Sequence, residues 1–145
     1  MKGEDIINLA KTIREKYKTN DPDYIIDKFE NFKLGETNIN PKVFKAQAIK
    51  YNDYISIILN KNYTGISRKF LLAHELGHAL LHKDFINYMD GGYQNLNVVN
   101  KEYEANLFAV ALLIDESTLN VEFEKLSPYE LSCIMDMNIQ IKDCC

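Results

Sequence analysis

The run Phe70-Leu-Leu-Ala-His-Glu-Leu-Gly-His-Ala-Leu-Leu-His82 constrains this chain more than any other stretch. It is apolar enough to be core, yet it puts a carboxylate and three imidazoles there. On an α-helix, His74 and His78 stand one turn apart on the same face. Two imidazoles at that spacing can share one metal ion, and Glu75 between them can reach a water beside it. A charged Glu in a Leu- and Ala-rich helix is costly unless it has a partner. Gly77 in mid-helix costs about 1 kcal/mol relative to Ala, which implies that a neighbouring element comes close there. The pattern suits zinc-assisted hydrolysis, with a peptide bond as the favoured target.

Catalytic zinc takes three protein ligands and leaves a position for water. His74 and His78 supply two. His82 is a poor third, because it lies about 12 Å from His74 along a helix axis, whereas every ligand atom must come within about 2.1 Å of the ion. His82 therefore reads as a packed or hydrogen-bonded histidine at a helix end. A carboxylate from Lys101-Glu102-Tyr103-Glu104-Ala105-Asn106 is the better candidate. Glu102 and Glu104 project about 200° apart around a helix, so at most one faces the ion. Periodicity does not choose between them. A metal-bound histidine usually donates its other ring N–H to an oxygen, and Asn106, one turn beyond Glu102, offers one. That favours Glu102 as the metal ligand, with Glu104 as the alternative.

Over 145 residues, 46% of them hydrophobic, a single domain can bury a real core. The expected segments are helices over 1–31, a small sheet over 32–60, metal-site helices over 66–114 and a helical segment over 115–145. Net charge is −4 with no Lys/Arg block, which argues against direct nucleic-acid binding. No apolar stretch approaches the roughly 18 residues of a membrane span, and the N-terminus lacks the apolar core of an export signal. A cytoplasmic protein is the expectation. Cys133, Cys144 and Cys145 do not make a disulfide framework. The adjacent pair reads as reduced thiols on a frayed end.

Helical spacing over 4–18 predicts a first helix, and Asp21-Pro22 predicts the start of a second. Three strands follow, at Phe32–Leu34, Val43–Ile49 and Tyr54–Leu59, the last two joined as a hairpin. Ile55, Ile57 and Leu59 alternate onto one face. Ser67 is the expected N-cap of a motif helix over 68–82. A long loop over 83–99, with one helical turn around Phe85–Met89, has the length of a functional lid. Asn100 is the expected cap of a helix over 101–114, apolar all round in its second half and so buried. Ser127-Pro128-Tyr129-Glu130 has the capping-box pattern of a last short helix. The fold class is α+β: helices packed on a three-stranded, largely antiparallel sheet, with the motif on a central helix.

Two segments together carry a resemblance. Arg68–His82 and Glu102–Leu113 resemble the F-x-x-A-H-E-x-x-H-x-x-x-H and E-x-x-A-N-x-F-A-x-x-L-L stretches of the ImmA/IrrE family of zinc metallopeptidases. The resemblance implies a small zincin-like domain with His74, His78 and Glu102 on zinc and Glu75 as catalytic acid/base. It also implies a protein substrate, a transcriptional repressor of the helix-turn-helix kind on a phage or mobile element. The chain departs from the family at Leu112-Leu113-Ile114-Asp115, where Leu-Leu-Met-Pro is common.

Glu75 would take a proton from water and return it to the leaving amine. An extended substrate is expected to pair with an exposed strand edge along Tyr54-Ile55-Ser56-Ile57-Ile58-Leu59-Asn60. Tyr63, Arg68, Tyr88 and Tyr93 are candidates for stabilising the oxyanion. The alternative function is a module that uses the metal for stability and sequesters a regulator without cutting it.

Overall fold

The computed structural model describes residues 2–82 and 96–141, with backbone alone over 96–99. Apolar residues at helical spacing form α1 (Gly3–Tyr17), which buries Ile6, Ala10 and Ile13. The short α2 (Pro22–Asp27) starts as its sequence predicts: Asp21 accepts from the Asp23 N–H, and Pro22 sits in the first turn. Three strands follow, β1 (Phe32–Thr37), β2 (Ala46–Tyr51) and β3 (Tyr54–Asn60). The remaining helices are α3 (Gly65–Leu81), α4 (Leu96–Leu113) and α5 (Pro128–Asn138), with 3-10 turns at Glu116–Thr118 and Phe123–Lys125. The Ser127–Glu130 capping box is formed.

The fold is α+β, but the sheet is mixed. Its order is β1-β3-β2, with β1 parallel and β2 antiparallel to β3. The expected β2–β3 hairpin forms around Asn52-Asp53, where Asn52 takes a positive φ of 52°. β1 continues through Gly35 to Thr37, and β2 starts only at Ala46, because Asn40–Phe44 folds into turns that bond back to the Asn40 carbonyl.

This order corrects the reading of Tyr54–Asn60 as an exposed edge. β3 is the central strand, hydrogen-bonded to β1 on one side and β2 on the other, so its backbone is not open to an extended peptide. Ile55, Ile57 and Leu59 are buried as the alternation predicts, and the strand richest in β-branched residues takes the most enclosed place. Asn60 is fully buried; its amide donates to the Ile39 and Phe44 carbonyls, and its oxygen accepts from Asn62. That side chain pins the β1–β2 connection.

Two helix starts also differ from the sequence reading. α3 begins at Gly65 rather than after Ser67. Ser67 is not a cap: its hydroxyl donates towards the Asn138 and Gln140 carbonyls and accepts from the Gln140 N–H, tying the end of α5 to the start of α3. α4 begins at Leu96, so Asn100 is interior; Leu96–Asn100 contains neither Gly nor Pro to stop a helix. The expected loop over 83–99 and the helical turn at Phe85–Met89 lie largely outside the described residues.

α3 packs on the sheet on one side and along α4 on the other. Ala105 and Leu107 to Leu112 are all buried, as the all-round apolar pattern predicts. At the far end of α4, Arg14 of α1 donates to the Ala111 and Leu112 carbonyls, which have no partner within the helix. Asp115, where the chain departs from the family pattern, caps the following turn by accepting from the Ser117 N–H.

Candidate metal centre

Gly77 explains how two helices come close enough to build a site. A Cβ there would stand 3.2 Å from Phe108 and 3.3 Å from the Ala105 Cα and carbonyl oxygen. The sequence expectation of a close neighbour holds, and the neighbour is α4. This contact sets the first half of α4 beside the imidazoles of α3.

Two imidazole nitrogens and the two oxygens of one carboxylate converge there. His78 Nε2 is 3.1 Å from His74 Nε2 and 2.9 Å from Glu102 Oε1, and His74 Nε2 is 3.2 Å from Glu102 Oε2. A tetrahedral ion about 2.0–2.1 Å from each ligand holds such atoms about 3.3 Å apart. The observed spacings, which close through both Glu102 oxygens, are of that order. His74, His78 and Glu102 thus form a group able to hold a metal ion. The imidazole side chains are 13% exposed and the carboxylate 52%, so the cluster opens to solvent on the Glu102 side. Glu75 is buried, with Oε2 3.9 Å from His74 Nε2.

The electrostatics favour a cation. Burial opposes ionisation of Glu102, but its hydrogen bonds to His74 and His78 prevail and hold its pKa far below the usual carboxylate range. Burial likewise opposes protonation of His74. The Glu102 hydrogen bond and the nearby Glu75 and Glu102 charges outweigh that, so its pKa is raised. A pocket that attracts a proton in this way attracts a metal for the same reason.

Glu104 does not join the cluster. It accepts from the ring of His82, with His82 Nε2 to Glu104 Oε1 at 2.8 Å. The other face of His82 meets His78, Nδ1 to Nδ1, at 3.1 Å. His82 is buried, and desolvation lowers its pKa despite Glu104. The sequence reading gave His82 a packing or hydrogen-bonding place and missed its partner; the third imidazole at helical spacing, paired with a second acid on the next helix, was the available signal. Asn106 stands near enough to His74 to favour its charged form, yet His74 Nδ1 has no hydrogen bond of ordinary geometry among the described residues.

Two of the oxyanion candidates are otherwise engaged. Tyr63 is buried and donates to the Pro41 carbonyl. Arg68 makes a two-pronged pair with Asp23 and a further bond to Glu36. Tyr88 and Tyr93 lie outside the described residues, as do Cys144 and Cys145.

Comparison with known proteins agrees with this geometry. The family model described as the IrrE N-terminal-like domain, Peptidase M78, matches residues 32–138. The chain belongs to that family. The match takes in the sheet, both site helices and α5, and a metallopeptidase family accounts for a His/Glu group of this kind. Over 103 residues the chain is 33% identical to an immunity region protein 2 of Bacillus phage phi105, described as uncharacterised. That alignment covers 70% of this chain and 63% of the phage protein. No solved structure matches significantly. Among the described residues, no helix is long and apolar enough to cross a membrane.

Proposed function

We propose that this protein is a zinc-dependent endopeptidase that cuts a specific regulatory protein, a helix-turn-helix repressor of a phage or mobile element. The observation that carries the reading is the triangle of His74, His78 and Glu102 with Glu75 beside it. Family membership supports the peptidase class. The phage relative is an immunity region protein, which supports a regulator as substrate, and such a substrate would put the reaction in the cytoplasm. The chain would act as one domain over residues 1–145, without touching DNA itself.

His74, His78 and Glu102 would hold the ion. A bound zinc supplies a Lewis acid that acidifies water and polarises a peptide carbonyl. Glu75 carries the proton. Its carboxylate takes one from the attacking water as the new C–O bond forms, and gives it to the amine nitrogen as the C–N bond breaks. The semi-enclosed position of Glu75 keeps that proton from bulk water.

Replacing Glu75 by Gln tests this directly. Zinc stays bound, and cleavage of a repressor encoded beside this chain falls by about 10²–10⁴-fold, the usual contribution of such a group. Full activity in Glu75→Gln overturns the assignment. A stable complex between wild-type protein and repressor, with no fragment whether or not chelator is present, supports the sequestering module instead.

A further inference from the structure

The chain Glu104–His82–His78 has a direction. Glu104 presents a carboxylate oxygen 2.8 Å from His82 Nε2, and an ionised carboxylate only accepts. His82 Nε2 must therefore carry the hydrogen. In a neutral imidazole that leaves Nδ1 as a bare lone pair. His82 Nδ1 lies 3.1 Å from His78 Nδ1, so His78 Nδ1 must be the donor. When an ion takes the Nε2 lone pair that faces His74 and Glu102, His78 carries its hydrogen on Nδ1 and donates it to His82.

We infer that His82 and Glu104 are positioning residues for the metal centre, selecting through two hydrogen bonds the one tautomer and ring setting of His78 that can bind a cation. The inference rests on the reading of His74, His78 and Glu102 as the metal site. The placement of the two residues supports it. His82 is the C-cap of α3, and its N–H bonds the His78 carbonyl at 2.8 Å, so the two rings are held on consecutive turns. Glu104 projects from α4 near Glu102, so one helix provides both a donor to the cluster and the anchor behind it. His74 Nδ1 is buried near Asn106, without a hydrogen bond of ordinary geometry among the described residues.

Zinc affinity, measured by competition with a chromophoric chelator, tests the inference without recourse to activity. His82→Phe removes the acceptor for His78 and is expected to weaken zinc binding by about 10–100-fold, the usual effect of losing such a partner. Glu104→Gln, a smaller change that leaves the His82 ring in place, is expected to weaken it several-fold. Adding Glu104→Gln to His82→Phe should cause no further loss, because Glu104 acts through His82; a purely structural role gives no such cancellation. Nitrogen NMR of the zinc-loaded wild-type protein should show His78 protonated on Nδ1 and His82 on Nε2. If wild-type protein binds zinc and both single variants bind it equally well, or if His82 in the zinc-loaded protein carries its hydrogen on Nδ1 instead of Nε2, the inference fails and the metal site stands. If wild-type protein binds no zinc, the site reading fails and takes this inference with it. Should His82→Phe not fold, Glu104→Gln and the tautomer measurement still decide.

Discussion

The two halves of α4 do opposite work. Its first half carries Glu102, Glu104 and Asn106 and turns carboxylates toward the histidines of α3. Its second half, Leu107 to Leu112, is buried on every side and is closed at its end by Arg14. The difference shows how a small domain can hold concentrated charge. Acids and imidazoles that would be costly alone are placed at the rim of a helix whose other end is anchored in the core. The candidate metal centre sits at one end of the rod and the buried core at the other.

The sharpest way to break that division is to empty the anchored half. Phe108 is fully buried and lies against Gly77. Phe108→Ala is expected to cost about 3–5 kcal/mol of folding stability, read by denaturant unfolding of the metal-free protein. A loss below 1 kcal/mol there would mean that the second half of α4 is not the anchor.

The acidic half should respond to pH instead. In the metal-free chain His74 has a pKa above its ordinary 6.5, so its stabilising contribution is complete below 6.5 and is lost as pH rises through the raised value. Glu102 lies far below its ordinary 4.5, so its contribution is complete above 4.5 and is lost as pH falls. The pair therefore contributes most between those two ordinary values, and less at pH 8. His82 acts in the other direction: its lowered pKa costs stability as pH falls below 6.5. Metal binding must displace the His74 proton, so zinc affinity should fall by about tenfold per unit of pH below the raised His74 value. That decline begins above pH 6.5, and chelator competition across pH 6 to 8 reads it. Affinity flat down to pH 6 would contradict the His74–Glu102 coupling.

The smallest expected effect tests the joint between the halves. Gly77→Ala gains about 1 kcal/mol in helix propensity, while crowding against Ala105 and Phe108 costs about 1–3 kcal/mol. Net stability should change by no more than about 2 kcal/mol, in the destabilising direction. Zinc affinity should fall as well, because the displaced backbone is that of Ala105, close to Glu102. Unchanged affinity in a folded Gly77→Ala protein would show that the Gly77–Ala105 contact does not set the spacing of the centre.

Much was legible from residues alone. The spacing of His74 and His78 placed two rings on one face of one helix, and the Asp21-Pro22 and Ser127–Glu130 signals marked two helix starts. The alternation of Ile55, Ile57 and Leu59 named a buried strand face. Each of these is set by neighbours within a few positions along the chain, through helical or strand periodicity and local hydrogen bonds to backbone groups. The same local logic misassigned Ser67, whose partners are at Asn138 and Gln140, and it could not see that Asn60 would be spent on the β1–β2 connection.

Sequence therefore determined the motif helix, the identity of the paired imidazoles and the family-like pairing of that helix with an acid-bearing one. Tertiary structure alone decided that β3 would lie between its neighbours, and that Glu102 would face the rings while Glu104 went to His82. The reason is rotational and long-range. Which strand is central, and how α4 is turned against α3, depend on contacts between segments far apart in the chain, and periodicity within one segment leaves those choices open.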